Sequence, residues 1–280
     1  MKPGSTALQA LENISLPTLP SVMARLNALM ADPDVGTREI GAAVAQDAPL
    51  TARVLRIANS AAYGLRERVL SAEHASAVLG MRELRTIAMA ASVMGQFDHL
   101  EAGAFDLNHL WKHAILVART ARALGKVSGA VSELSPDELY TVGLVHDLGQ
   151  VVLLEHFSDS FLEAVRRSKE EDRSLEEVEV EVLGFSHAEV GARIALRWNL
   201  PPALVSAVQY HHGPEEEIEA EPVVALVDLA NRLAERAAAG DREGALATLD
   251  DARAELLELS SSDFEEAVDE ALEAWGTIEV

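Results

Sequence analysis

The chain has 280 residues, 49% hydrophobic and 25% charged, a globular balance long enough for one large domain or two modest ones. Its 46 acidic residues against 23 lysines and arginines give a formal net charge of −23, which argues against direct binding to nucleic acid or anionic membrane. The lack of cysteine excludes disulfides, thiolate metal sites and cysteine nucleophiles, and no apolar run approaches the ~20 residues of a membrane span.

The opening MKPGSTALQALENISLP has no apolar core of the signal-peptide kind, so a soluble, cytoplasmic protein is expected. Alanine, leucine, glutamate and arginine dominate and β-branched alternation is scarce, which predicts an all-α fold. LPSVMARLNALM sets Val22, Leu26 and Leu29 on one stripe. Two short helices hinged at Asp47-Ala48-Pro49 follow, then two more broken at Gly80. The arginines at 53, 56, 82 and 85 are expected on a solvated face. These elements form an N-terminal helical subdomain over 1–105, and a second helical subdomain with acidic C-terminal helices takes 106–280.

The second half has sharper punctuation. Asp106 or Asn108 is placed to cap a helix running to Gly125. Ser135-Pro136-Asp137-Glu138 is a capping box with proline at the first helical position, and the helix it starts carries His146 until Gly149 stops it. Ser174 to Glu177 and Ser186 to Glu189 repeat the pattern, the latter placing His187 in a first turn. Pro202 begins a helix that ends at His211-His212. The acidic EEEIEAEP reads as a loop, and VVALVDLANRLAERAA as a helix bearing Asp228.

Seven of the nine histidines lie between 109 and 212, at helix ends. His109 and His113 are four apart and share a helical face. His146 and Asp147 form an adjacent imidazole–carboxylate corner able to reach one cation. Asp228 lies in an apolar helical setting, where an unpaired carboxylate would cost several kcal/mol, so it needs a cation or strong hydrogen bonds. His74, His99 and His156 read as ordinary helical histidines. No Gly-x-Ser-x-Gly elbow, phosphate-cradling glycine loop or Gly-x-Gly-x-x-Gly is present.

A histidine, a His-Asp pair about thirty residues on and a late helical aspartate match the HD superfamily's order. The stretches LPTLPSVMARL, AQDAPLTARVLRIANSAAYG, SAEHASAVLGMRELRTIA, LWKHAILVA, GLVHDLGQVVL and GFSHAEVGARIALRWNLPPALVSAVQYHHGP resemble one branch of it, the HDOD domain, over roughly residues 10 to 235. The resemblance implies an N-terminal helical subdomain packed on an HD-like helical core, used in bacteria as a signalling module. It also implies a metal set of His113, His146, Asp147 and Asp228. His187, His211 and His212 match the additional ligands with which HD-GYP phosphodiesterases hold a second ion, and His109 stands where a further ligand occurs. Nitrogen and oxygen donors without thiolate suit iron, manganese, nickel or zinc, as one ion or two.

Two departures stand beside that likeness. Gln150 replaces the lysine that follows the HD-x-G motif in the cyclic-dinucleotide phosphodiesterases, and the Gly-Tyr-Pro loop is absent. The reading is a regulatory module that binds a partner protein or a small signal, with a retained metal site and no phosphodiesterase activity. The alternative is a metal-dependent phosphohydrolase, in which His146 and Asp147 would be catalytic.

Overall fold

A computed structural model describes residues 14–100, 103 and 105–280, except the side chain of Ala62. The N-terminal stretch read as lacking a leader's apolar core lies mostly outside these residues. Among the described residues there are helices and no strand, as the sequence predicts, and no helix is long and apolar enough to cross a membrane. The chain divides into two compact units, one of residues 19–99 with 272–280 and one of 100–271 with the described part of 1–18.

The first unit holds α1 (Ser21–Met30), α2 (Thr37–Val44), α3 (Ala48–Ala58), a 3-10 turn (Ala61–Tyr63), α4 (Ala72–Leu79) and α5 (Met81–Gly95). Asp47 caps α3 by accepting from the Leu50 N–H at 2.9 Å, and the Ser71 hydroxyl caps α4. Leu26, Ile40, Val54, Leu84 and Ile87 are buried together in the core. Three of the four arginines expected on a solvated face have specific partners, Arg56 donating to the Val280 carbonyl at 3.2 Å. Arg53 donates to the Ala91 carbonyl at 3.1 Å and to Asp98 at 2.7 Å, and Arg85 donates to Asn27 at 2.8 Å. A guanidinium on a short helix reaches its neighbour's carbonyls and side chains, which helical spacing alone does not reveal.

The second unit begins with α6 (Leu107–Val127), whose N-cap is Asp106 and which runs past Gly125. Next come α7 (Pro136–Val145), α8 (Leu148–His156), α9 (Ser158–Glu171) and α10 (Leu175–Leu183). They are followed by α11 (His187–Arg197), α12 (Pro202–Tyr210), α13 (Glu215–Ala220) and α14 (Pro222–Ala238). Then come α15 (Arg242–Leu246), α16 (Asp251–Leu257) and the acidic α17 (Ser261–Thr277), which has Phe264 and Val268 buried and whose residues from 272 on fall in the first unit. The segment EEEIEAEP is therefore largely the helix α13, not a loop. Ile218 is buried at its centre and Glu215 is held by Arg253 at 2.6 Å, giving the acidic run an anchored face.

In this unit α6 packs against α7 and α14, and α11 against α8 and α12. Glycines set the closeness of two of these crossings. A β-carbon on Gly143 would lie 2.6 Å from the Ala118 Cα, and one on Gly149 only 1.9 Å from the His187 carbonyl oxygen. Gly149 does not stop a helix, as its sequence position implies; it is the second residue of α8. The break falls earlier, at His146-Asp147, and the glycine is needed for the backbone approach of α8 to α11.

Candidate metal centre

Local signals aim each histidine inward. The Ser135–Glu138 capping box starts α7, and His146 follows its last residue. There His146 Nδ1 donates to the Gly143 carbonyl at 2.7 Å, leaving Nε2 to face the interior. At the end of α12, His211 Nδ1 donates in the same way to the Val208 carbonyl at 2.7 Å. The Ser186–Glu189 capping box makes His187 the first residue of α11, and its Nδ1 is 2.7 Å from the buried carboxylate of Glu179. The same Glu179 oxygen accepts the His187 backbone N–H at 2.7 Å, so one carboxylate fixes both the ring and the helix start.

These rings converge on Asp147. Its Oδ1 lies 3.2 Å from His187 Nε2 and 3.4 Å from His211 Nε2. Its Oδ2 lies 3.3 Å from His146 Nε2 and 3.7 Å from His113 Nε2. Two ligand groups result, His113–His146–Asp147 and Asp147–His187–His211–His212, each with donor atoms within 4.8 Å of one another. Asp147 is common to both. All these residues are buried except His212, which is exposed at the edge.

The donor set fits a transition metal on physical grounds. The Nε2 atoms of His146, His187 and His211 and the Oδ1 of Asp147 are buried without a hydrogen-bond partner. Because each Nδ1 is already engaged, the neutral tautomers direct Nε2 lone pairs at a carboxylate that is itself an acceptor. Several buried acceptors facing one another need a cation between them.

Without a metal, only protons can supply that charge. Burial by itself lowers the His146 pKa, but the Asp147 charge together with the contacts to Asp147 and the Gly143 carbonyl leaves His146 raised. His187 shows the same contest, and Glu179 and Asp147 leave it well above the usual value. Burial raises Asp147, yet the His146 charge and the contacts with His187 and His211 hold it well below the ordinary carboxylate range. Burial and the neighbouring His146 charge lower His113 to about 4, and burial takes His211 to about 4 despite its contact with Asp147.

Asp228 is not brought into this cluster. Its Oδ1 accepts from Arg232 Nε at 2.8 Å and its Oδ2 lies 3.6 Å from Arg253 Nε. The cation that its buried setting demands is thus a guanidinium pair. One turn further along α14, the side-chain amide of buried Asn231 lies 2.8 Å from His113 Nε2, and Asn231 in turn faces Glu235. Asn231 and Glu179 are the site residues that sequence reasoning missed. Glu179 sits among six acidic residues in α9's tail and α10, where nothing but burial sets it apart, and an amide carries no ligand signal. His109 is exposed one turn before His113 and lines a cavity of about 550 Å³ that reaches His113, Asp147, Gln150 and Glu235.

Comparisons with known proteins agree with this architecture. The sequence matches the HDOD domain family over residues 16–214, a span that ends before Asp228. It is 28% identical over 217 residues to an uncharacterised protein of Treponema pallidum, covering 77% of this chain and 41% of the relative, so the chain spans about two fifths of that protein. The crystal structure of an HDOD domain protein from Geobacter sulfurreducens aligns with a TM-score of 0.67 at 28% identity, covering 95% of this chain and 98% of the other. A Shewanella amazonensis protein titled as a candidate phosphohydrolase aligns with a TM-score of 0.73 at 22% identity, covering 98% of both chains, which is a likeness of fold. With a family match over most of its length and an all-helical structure of the same form, the chain belongs to the HDOD domain family.

Proposed function

We propose that this chain is a regulatory HDOD module in which a buried metal centre supports recognition of a partner protein or small signal, without phosphodiesterase turnover. The functional division is between residues 1–105 and 106–280. The observation that carries the metal reading is the set of unpartnered Nε2 lone pairs around Asp147. His113, His146 and Asp147 would hold one ion and His187, His211 and His212 a second against the same carboxylate. A bound metal would supply Lewis acidity and, with water, a hydroxide near neutral pH.

The residues themselves argue against hydrolysis. Glu179 orients His187 and the Gly143 and Val208 carbonyls orient His146 and His211, so the ligands are held rigidly. Phosphoryl transfer also needs the substrate held in line with the attacking oxygen. Gln150 stands in that position of the motif as a neutral amide, and Asp106 and Glu235 add carboxylates to the cavity beside Asp147. The alternative, a phosphohydrolase, is favoured by one observation, the sharing of Asp147 between two ligand groups as in a two-ion clamp.

Elemental analysis of protein purified without a histidine tag tests the metal, and His146→Ala should release most of it. A screen of cyclic dinucleotides, nucleotides and generic phosphoesters with manganese or iron under reducing conditions tests turnover. Silence is expected. Multiple turnover that vanishes in both His146→Ala and Asp147→Ala would replace the regulatory reading with the hydrolase.

A further inference from the structure

The cavity beside the cluster carries a cation, Lys169, that forms no ion pair among the described residues. In and after α9, Arg166 pairs with Glu163 and Glu170, Arg167 with Glu171 and Glu181, and Arg173 with Glu171 and Glu181. Lys169, on the same helix, has no carboxylate or hydrogen-bond partner among the described residues, and it lines the 550 Å³ cavity that leads to Asp147. In a chain with 46 acidic residues against 23 basic ones, partners for a lysine are plentiful. Lys169 is thus a cation free to meet a ligand at the mouth of the cavity that reaches Asp147.

A second unengaged group faces the same space. Gln150 is 8% exposed, and its side-chain amide has no protein partner among the described residues. A largely buried amide normally has its hydrogen bonds met, and the cavity that Gln150 lines is open to a partner for it. Leu110, Val165 and Leu175 supply apolar lining to the same cavity. Asp106 and Glu235 also line the space, so an anion is admitted only when the metal centre offsets them.

We propose that this cavity binds a small organic oxyanion. Its head sits between the Lys169 ammonium and the metal centre and accepts from the Gln150 amide, and its apolar body lies on Leu110, Val165 and Leu175. The volume is that of a small-molecule pocket, which runs from about 300 to about 1,000 Å³. The cation missing from the motif position at Gln150 is thus supplied from α9, at the rim instead of the floor. That placement suits holding a ligand better than aligning a phosphoryl group on a metal-bound oxygen. This inference rests on the metal reading above and names the class of signal that the site takes.

Calorimetric titration of the manganese-loaded protein with inorganic phosphate, phenyl phosphate and phenylacetate tests it, with metal content measured on the same samples. At least one aromatic oxyanion should bind about tenfold more tightly than inorganic phosphate, and the two aromatic probes tell a phosphate head from a carboxylate one. Lys169→Ala should weaken that binding about tenfold, the loss of one charge-assisted contact, with metal content unchanged. Lys169→Arg should restore most of it. Lys169 is exposed at the rim, so these variants are expected to fold. Equal binding by Lys169→Ala, or no preference for either aromatic probe, would overturn the inference while leaving the metal reading intact. Wild-type protein that takes up no metal would overturn both.

Discussion

Asp147 and Asp228 are residues of one type, both nearly inaccessible to solvent, at 6% and 2% exposure, and the fold treats them in opposite ways. Asp228 lies within α14, where Arg232 one turn on and Arg253 from α16 reach it. Its countercharge is built into the chain. Burial still raises its pKa, with the two arginines offsetting only part of that cost. Asp147 lies at a break between two helices, surrounded by imidazoles whose other nitrogens are committed elsewhere. Its countercharge must come from outside. A buried carboxylate marks a need for positive charge, and only its neighbours decide whether that charge is permanent or exchangeable.

The largest effect that separates the two is metal loss. Asp147→Ala removes the donor shared by both ligand groups and should lower metal content at least about a hundredfold. Asp228→Asn should leave metal content unchanged and cost about 2 kcal/mol of stability in a denaturant melt, because Arg253 keeps Asp250 and Glu215 as partners. If Asp228→Asn empties the site as thoroughly as Asp147→Ala, Asp228 is a ligand after all and not the partner of two arginines.

The next effect concerns the approach of α8 to α11. Gly149→Ala would place a methyl 1.9 Å from the His187 carbonyl oxygen, against backbone that cannot rotate away. The crossing must open, at a cost of about 1–3 kcal/mol, and His187 must move with its helix. Reduced thermal stability together with weakened metal retention is expected. Destabilisation with unaltered metal affinity would show that the crossing does not set the site's dimensions.

A smaller change should follow Glu179→Gln. The amide oxygen can still accept from His187, but the charge that raises the basicity of the ring is gone, and metal affinity should fall about tenfold against a competing chelator. Asp228→Asn makes the control here, since it also removes a buried negative charge without touching a ligand ring. Equal affinities for the two variants would remove Glu179 from any positioning role.

The smallest effect is protonic. In the metal-free protein the pKa of His187 is raised well above its ordinary value by Glu179 and Asp147, and that of His146 is raised too, so both favour protons on the cluster that a metal must displace. Metal affinity should therefore fall as pH falls, with protons released on binding in weakly buffered solution. His113 and His211 act on folding in the reverse sense. Their folded values of about 4 lie below the unfolded 6.5, so the unfolded chain binds more protons between those limits. Their contribution to metal-free stability should decline as pH drops from 6.5 toward 4. Binding without proton release at pH 7 would mean that the metal-free cluster holds no proton there.

Much of this protein was legible in its sequence. Helix composition determined the all-α class, and capping residues at Asp106, Ser135, Ser174 and Ser186 marked four helix starts in the second half, because a cap is a local bond between residues three apart. The same locality placed His146, Asp147, His187 and His211 at helix ends, where side chains are free to turn toward a common point. Tertiary structure alone decided which of them meet. Asp228 and Asn231 lie three residues apart on one helix, and the packing of α16 gives the first to Arg253, while that of α6 gives the second to His113. Gly149 reads as a helix stop until α11 is seen pressing on it, and Glu179 reads as one more surface acid until His187 is found against it. Capping is fixed by neighbours in the chain, whereas burial and countercharge are fixed by neighbours in space, and the sequence prints only the first.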